Sequence, residues 1–335
     1  MNNLPKPFMV LAPMDDVTDV VFRRLVKSCA PADLYFTEFV NVDGLSSPGR
    51  PKLLKKLKFV DEEDHLIAQL WGKEPTNFYN VAKQIADGQV TKEVGASEGH
   101  NFVGVDLNMG CPQKNEVGSG TCAALINNRE LAKEIIDQTR KGLDGKLPLS
   151  VKTRIGYNEV DLTWIEFLLK QNLNMLAVHG RTKKEKSAVP AHWDLINEAR
   201  KLRDKISPKT LIVGNGDVKN KEHALELANK YKLDGIMIGR GIFNDPFAFS
   251  EKDEWTDFNK EQRIELYKKH LKLFQNAWQN NERPIHTINK FCKVYISGFD
   301  GAKELREKLM MVKNIEDAFT ILDNQTATSS SRGPV

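Results

Sequence analysis

Eight short runs rich in apolar and β-branched residues recur along the first three quarters of the chain. They lie at residues 8–14, 34–39, 66–71, 102–109, 149–155, 175–180, 211–215 and 235–239. Each is separated from the next by enough sequence for a helix and two loops. A strand-then-helix repeat at this spacing predicts a parallel sheet. Eight such units within about 250 residues match a closed barrel. The expected fold class is therefore α/β, a (β/α)8 TIM barrel spanning residues 1–249. In such a barrel the C-terminal ends of the strands share one mouth, so the polar residues that close the runs belong together.

After residue 249 the pattern changes. Residues 261–280 place Ile264, Tyr267, Leu271, Phe274 and Trp278 at helical spacing. Pro284 opens a second helical stretch through Ile288, Phe291 and Tyr295, and a third covers 302–322 with Leu305, Leu309 and Phe319 inward. Three helices without strands predict a small all-helical C-terminal domain at 250–323, and 324–335 reads as a disordered tail with no apolar face.

Composition bounds the rest. No apolar run approaches the ~20 residues of a membrane helix, and the first seven residues lack a signal-peptide pattern. Cys29, Cys111, Cys122 and Cys292 form no CxxC pair, which reads as reduced thiols in a cytoplasmic protein. The carboxylates Asp15, Asp16 and Asp19 lack His or Cys companions at ligand spacing, so no metal is expected. A formal net charge of +4 permits a nucleic-acid partner without requiring one.

The run ends carry the chemistry. The first closes on Pro13 and Met14 in a stiff turn able to present backbone to a flat ligand, although a plain turn with a capped helix explains it equally. The third contains Gln69, whose amide suits the edge of a flavin or pyrimidine, or simply a satisfied polar position. The fourth ends Asn108-Met109-Gly110-Cys111-Pro112. Gly and Pro on either side hold the Cys111 thiol on a tight loop past the strand, and 118–121 could serve as a lid. Lys152 in the fifth run needs an anionic or strongly polar partner. His179 and Arg181 follow in the sixth. The seventh and eighth end Asn215-Gly216-Asp217 and Gly239-Arg240-Gly241, glycine-rich loops where barrels of this kind bind phosphate.

Together with Ala12-Pro13-Met14, Val17-Thr18-Asp19, Val151-Lys152-Thr153-Arg154-Ile155-Gly156 and Val178-His179-Gly180-Arg181-Thr182, these segments resemble the tRNA-dihydrouridine synthases over almost the whole chain. The resemblance implies FMN as cofactor, NADPH as reductant and tRNA as partner, with no obligate protein partner. It implies that Pro13, Met14 and Gln69 line the isoalloxazine. Lys152 and His179 would stand near its N1/O2 side, with Asn215, Gly216, Asp217, Gly239 and Arg240 around the phosphate. Asn108 and Arg181 would touch the target uracil. Cys111 would be the general acid, giving a proton to C5 after hydride reaches C6. The C-terminal helices resemble a tRNA-binding part, in which Arg283 and His286 are the first candidates. Asp15-Asp16, the 85–100 insertion and the thiol at Cys122 depart from the family pattern.

Two other functions fit parts of this reading. One is an FMN-dependent oxidoreductase of free pyrimidines, of the dihydroorotate dehydrogenase kind, which would need no basic helical domain. The other is a flavin-bearing RNA-binding protein whose catalysis is dispensable.

Overall fold

A computed structural model describes residues 4–279 and 282–327. Its strands are β1 (Phe8–Leu11), β2 (Tyr35–Phe36), β3 (Val40–Asn41), β4 (Leu66–Trp71), β5 (Gly104–Met109), β6 (Leu149–Arg154), β7 (Met175–His179), β8 (Leu211–Asn215) and β9 (Gly235–Ile238). They form one parallel sheet in the order β1-β9-β8-β7-β6-β5-β4-β2, with β3 also on β4. The two edges meet through a parallel bridge between Val10 and Leu34, and the Leu11 N–H donates to the Leu34 carbonyl at 3.0 Å. The expected (β/α)8 TIM barrel is therefore present.

The run at 34–39 is not one strand. It holds only β2, and β3 follows just beyond it; pairing with β4 lapses between them, where the Thr37 hydroxyl, not a backbone carbonyl, accepts the Gln69 N–H at 3.1 Å. Glu38 turns at the same point to accept the Asp16 N–H at 2.7 Å.

Side chains on a strand alternate between two faces, so every second residue enters the barrel. On β1, β2 and β7–β9 the inward set is apolar: Phe8, Val10, Phe36, Met175, Val213 and Met237 pack into one buried cluster. Each such side chain contributes about 1.5–3 kcal/mol. On β4–β6 the inward set is mostly polar, Gln69, Asp106, Asn108, Ser150, Lys152 and Arg154, while Ile67 joins the apolar cluster. Register places Gln69 beside Asp106 beside Ser150, and Asn108 beside Lys152. The polar half of the interior is thus a consequence of three adjacent strands in phase.

Helices follow the strands: α1 (Val20–Cys29), α2 (Pro75–Ala86), α3 (Arg129–Leu143), α4 (Leu162–Leu169), α5 (Trp193–Ile206) and α6 (Lys221–Tyr231). Asn128, Asp161 and Asn220 cap α3, α4 and α6 by accepting a backbone N–H of the first turn. Gly142 lets α2 and α3 approach, since a Cβ there would lie 2.3 Å from the Tyr79 carbonyl oxygen.

By packing, the chain divides into two units. One comprises the residues up to Asp19 together with Ala32–Gly241, the other Val20–Pro31 together with the residues from Ile242 onward. Helix α1 therefore groups with the C-terminal helices α7 (Lys260–Ala277), α8 (Ala302–Met310) and α9 (Ile315–Ala327). Its Phe22 stacks on Phe291 with centroids 5.2 Å apart and faces His270 at 6.0 Å.

The helix expected across 302–322 is broken at 311–314, where the Asn314 side chain accepts the Asp317 N–H at 2.8 Å and starts α9 afresh. The stretch after Pro284 is two single turns, His286–Asn289 and Cys292–Tyr295. Helix α9 reaches Ala327, four residues into the segment read as a tail, and 328–335 lie outside the described residues. Among the described residues no helix is long and apolar enough to cross a membrane.

Candidate active site

The C-terminal ends of β4–β6 open into a cavity of about 570 Å³. Of the residues singled out from sequence, Pro13, Met14, Gln69, Asn108, Cys111, Lys152 and Arg240 line it. Phe39, Asp15 and Arg154 line it too and were not singled out.

Pro13 and Met14 sit on a turn that Thr18 ties down, its hydroxyl accepting the Met14 N–H at 3.0 Å. Beside that turn, Asp15, Asp16 and Glu38 bring their oxygens within 4.8 Å of one another. The Lys56 ammonium lies among them, bonded to Asp15 and 3.7 Å from buried Glu38. Burial works against this ammonium, but the three carboxylates outweigh it and raise its pKa.

The loop after β5 is held from several sides. Asn108 Oδ1 accepts the N–H of Gly110 at 3.1 Å and of Cys111 at 2.9 Å. Arg154 Nε donates to the Gly110 carbonyl at 2.7 Å. Glycine at 110 keeps this approach uncrowded, because a Cβ would lie 3.1 Å from the Thr153 Cα. Cys111 is half-buried. The residues expected to be a flexible lid, 118–121, form the turn between a short helical segment at Lys114–Gly118 and a 3-10 segment at Cys122–Asn127.

That segment returns Cys122 to Cys111. The Ala123 N–H donates to the Cys111 carbonyl at 3.3 Å, and Cys122, fully buried, holds a left-handed φ of 54°. The Cys122 side chain is the neighbour that most affects Cys111: with help from Gln113 and Lys152 it outweighs burial and lowers the Cys111 pKa. The same contact and burial raise the pKa of Cys122, so Cys111 is the first of the two thiols to lose its proton as pH rises.

Two cations and a neutral imidazole stand on the next two strands. Lys152 keeps a small area facing the cavity, yet desolvation and the neighbouring Arg154 push its ammonium down to about 8, against the pull of Asp106. Arg154 Nη1 donates to the Thr182 carbonyl at 3.1 Å and lies 3.4 Å from His179 Nδ1. Burial and four surrounding cations hold the His179 pKa well below its ordinary range, so the ring is neutral at pH 7. A neutral ring accepting from Arg154 at Nδ1 carries its proton on Nε2.

His179, Asn215, Gly216, Asp217, Gly239 and Arg181 do not line the cavity. They are linked to it through Arg154 and Arg240. Asn215 is buried, its amino group donating to the Met237 carbonyl at 2.9 Å. Gly216 (φ 132°) faces His179: a Cβ there would lie 3.8 Å from Nε2 and 2.6 Å from the Ala191 methyl. Gly239 lies beside Ala12, with a Cβ at 3.6 Å from its methyl.

Arg181, expected beside Asn108, is instead buried against Asp217. It bonds the carboxylate through Nη2 and the Val189 carbonyl through Nε at 2.5 Å. Arg240 lies 3.7 Å from the other oxygen of Asp217. The buried Arg181 Nη1 has no partner among the described residues. Burial raises the Asp217 pKa, but Arg181 and the Ala191 N–H outweigh it and the group stays ionised.

In the other unit, Arg283 stacks its guanidinium 4.8 Å over the Trp278 ring, and His286 is exposed.

Asp106 and Arg154 had a sequence signal. Each is two residues from a named residue on the same strand, Asn108 and Lys152, and so shares its inward face.

The family model described as Dihydrouridine synthase (Dus) matches residues 10–331. A Staphylococcus epidermidis protein named probable tRNA-dihydrouridine synthase is 40% identical over 337 residues, covering 100% of this chain and 98% of that one. A Bacillus subtilis protein named probable tRNA-dihydrouridine synthase 2 is 40% identical over 324 residues, covering 96% and 94%. Among solved structures, a 2-naphthoyl-CoA reductase in complex with 2-naphthoyl-CoA matches with a TM-score of 0.50 at 13% identity. The match covers 72% of this chain and 49% of that one, and it speaks for the fold alone.

Proposed function

The chain belongs to the dihydrouridine synthase family, and on that premise we propose that it is a tRNA-dihydrouridine synthase, a cytoplasmic oxidoreductase that uses FMN and NADPH to reduce the C5–C6 double bond of a uridine in tRNA. The observation that carries this reading is the juxtaposition of a thiol, a pair of side-chain amides and a cation group at one barrel mouth.

The residues fit a phosphorylated flavin. Arg181 Nη1 is buried and has no partner among the described residues, and Lys152, Arg154 and Arg240 stand with it around His179. Gly216 leaves its backbone bare where a close anion would approach. Pro13, Met14 and Gln69 would flank the ring system, with Lys152 and His179 at its electron-rich edge. Asn215, Gly216, Asp217, Gly239 and Arg240 would surround the phosphate. Arg181 joins them in this reading, because its open nitrogen lies beside Asp217 and not in the cavity. FMN bound there supplies two-electron reducing chemistry, renewed by NADPH.

The chain's own groups supply the proton. Cys111 holds it on a half-buried thiol and gives it to uracil C5. The thiolate left behind is stabilised by the Cys122 side chain and the Gln113 N–H. Asn108 has both lone pairs of Oδ1 filled, so it offers the uracil one N–H and no acceptor. The helical part, 250–323, would hold the RNA, with Arg283 and His286 in contact. A uridine must leave its stack to lie in this cavity.

The test is turnover. Purified protein reconstituted with FMN should oxidise NADPH when given unmodified tRNA and leave dihydrouridine in it. NADPH oxidation driven by orotate or free uracil, and not by tRNA, would replace this reading with a free-pyrimidine oxidoreductase. Dihydrouridine formation that survives Cys111→Ala would remove Cys111 as the acid.

A further inference from the structure

A carboxylate inside an apolar-walled barrel is costly unless something needs it. Asp106 is fully buried on the polar half of the interior, level with Gln69 and two residues before Asn108, both of which line the cavity. Its Oδ1 accepts from the Ser150 hydroxyl at 2.6 Å, and its Oδ2 from Gln69 Nε2 at 2.7 Å. Gln69 Oε1 accepts from Asn108 Nδ2 at 3.2 Å. Asn108 Oδ1 accepts from the backbone N–H groups of Gly110 and Cys111.

The result is a string of two amides between an acceptor and two donors. An ionised carboxylate can only accept, and a backbone N–H can only donate. Both ends therefore demand the same direction. Turning Gln69 over would set its carbonyl against the Asp106 carboxylate and its amino group against that of Asn108. Turning Asn108 as well would set its amino group against two N–H donors, and the Cys111 loop would lose its hold.

We propose that Asp106 is a positioning residue: its carboxylate fixes the direction of the Gln69–Asn108 amide pair, and through that pair it holds the Cys111 loop and leaves Asn108 a single outward N–H. The value of this for catalysis rests on the proposed tRNA-dihydrouridine synthase reading. The positioning itself does not. A substrate carbonyl is welcome at that N–H, and an exocyclic amino group in the same place would meet a donor with a donor.

The experiment compares Asp106→Leu with Asp106→Asn. Asparagine can present its carbonyl to Gln69 and its amino group to the Ser150 oxygen, so it preserves the direction; leucine cannot. The readout is alkylation of Cys111 by iodoacetamide in protein without FMN or RNA, followed by peptide mass spectrometry. Asp106→Leu should react roughly fivefold faster than wild type or more, what the loss of one buried hydrogen bond is worth. Asp106→Asn should stay within about twofold of wild type, since the same string of bonds can form. If Asp106→Leu does not fold, Gln69→Leu cuts the string one link nearer and carries the same expectation. Folded leucine variants that react at the wild-type rate would overturn the proposal. So would equal acceleration by asparagine and leucine, which would assign the effect to charge. Turnover of tRNA by the wild-type enzyme is scored separately, so failure of the enzymatic reading cannot pass for failure of the positioning.

Discussion

The thiols of Cys122 and Cys111 influence each other's protonation, and Cys122 is the more deeply buried of the two. The pair therefore favours an anion on Cys111 once its proton has left. An acid is active while protonated, so turnover should fall as pH rises through the Cys111 pKa, which lies below the ordinary thiol value. Removing the neighbouring thiol in Cys122→Ala should shift the falling limb of the kcat profile to higher pH. A limb that stays in place would mean the two sulfurs do not share a proton in solution.

Lys152 should make flavin retention depend on pH. Its ammonium titrates near about 8, and an anionic ligand prefers the charged form. FMN affinity should therefore weaken as pH rises through that value and then level off. Lys152→Met should bind about tenfold more weakly at pH 7, the loss of one charge-assisted contact, and should show a flatter profile. Fluorescence titration from pH 6.5 to about 9.5 measures both. An unchanged affinity in the variant would count against a flavin-facing ammonium.

Asp106 bears on stability with a definite sign. Burial raises its pKa to about 6, against the Ser150 and Gln69 hydrogen bonds and Lys152. The folded chain thus keeps this proton more tightly than the unfolded chain, whose aspartate titrates near about 4. Its contribution is most favourable below that lower value and is lost as pH rises to about 6. Asp106→Asn should remove this loss and unfold at higher urea than wild type at pH 7, by up to about 2–3 kcal/mol. A less stable asparagine variant would show that the charge is better satisfied than the structure indicates.

His270 acts with the opposite slope. It is fully buried beside Phe22 and Phe291, with Nδ1 2.9 Å from the Tyr295 hydroxyl, and burial lowers its pKa to about 3. Between that value and about 6.5 the unfolded chain binds a proton that the folded chain refuses. Stability should fall on acidification by at most about 1.4 kcal/mol per pH unit from this group. In His270→Asn, whose Oδ1 can replace Nδ1, the slope should diminish. Parallel urea midpoints at pH 7 and pH 5 for both proteins would refute this.

Arg283, held over Trp278, should contribute one phosphate contact if the helical part binds RNA. Arg283→Ala should reduce the slope of log Kd against log salt by about 1. Filter binding of tRNA at several salt concentrations reads this. A slope unchanged from wild type would move the RNA contact elsewhere.

Strand positions were legible because alternation into a barrel leaves a two-residue rhythm: β4 and β8 begin and end where the runs at 66–71 and 211–215 predict. The break between β2 and β3 was not, since it depends on a Thr37 hydroxyl replacing a backbone acceptor. The same rhythm contains Asp106 and Arg154, but the groups that give each a role, Gln69 and Ser150 for one and the Gly110 carbonyl for the other, come from other parts of the chain. Arg181 was misplaced relative to Asn108 for a different reason. Adjacency in a motif says nothing about which of two acceptors a long side chain will choose, and here Asp217 has it. The Cys111–Cys122 contact joins residues on either side of a short helical turn, a path that spacing alone does not describe.

The chain passes between its two packing units three times, after Asp19, after Pro31 and after Gly241. A stop codon introduced after Gly241 would therefore not release an autonomous barrel. It would strip α1 of α7, leaving Phe22 without the rings of Phe243, His270 and Phe291. Recombination that exchanged the distal half of the gene between relatives would face the same constraint: a new C-terminal body has to arrive with a matching segment from the first thirty codons, or the hybrid begins life with an uncovered oily seam.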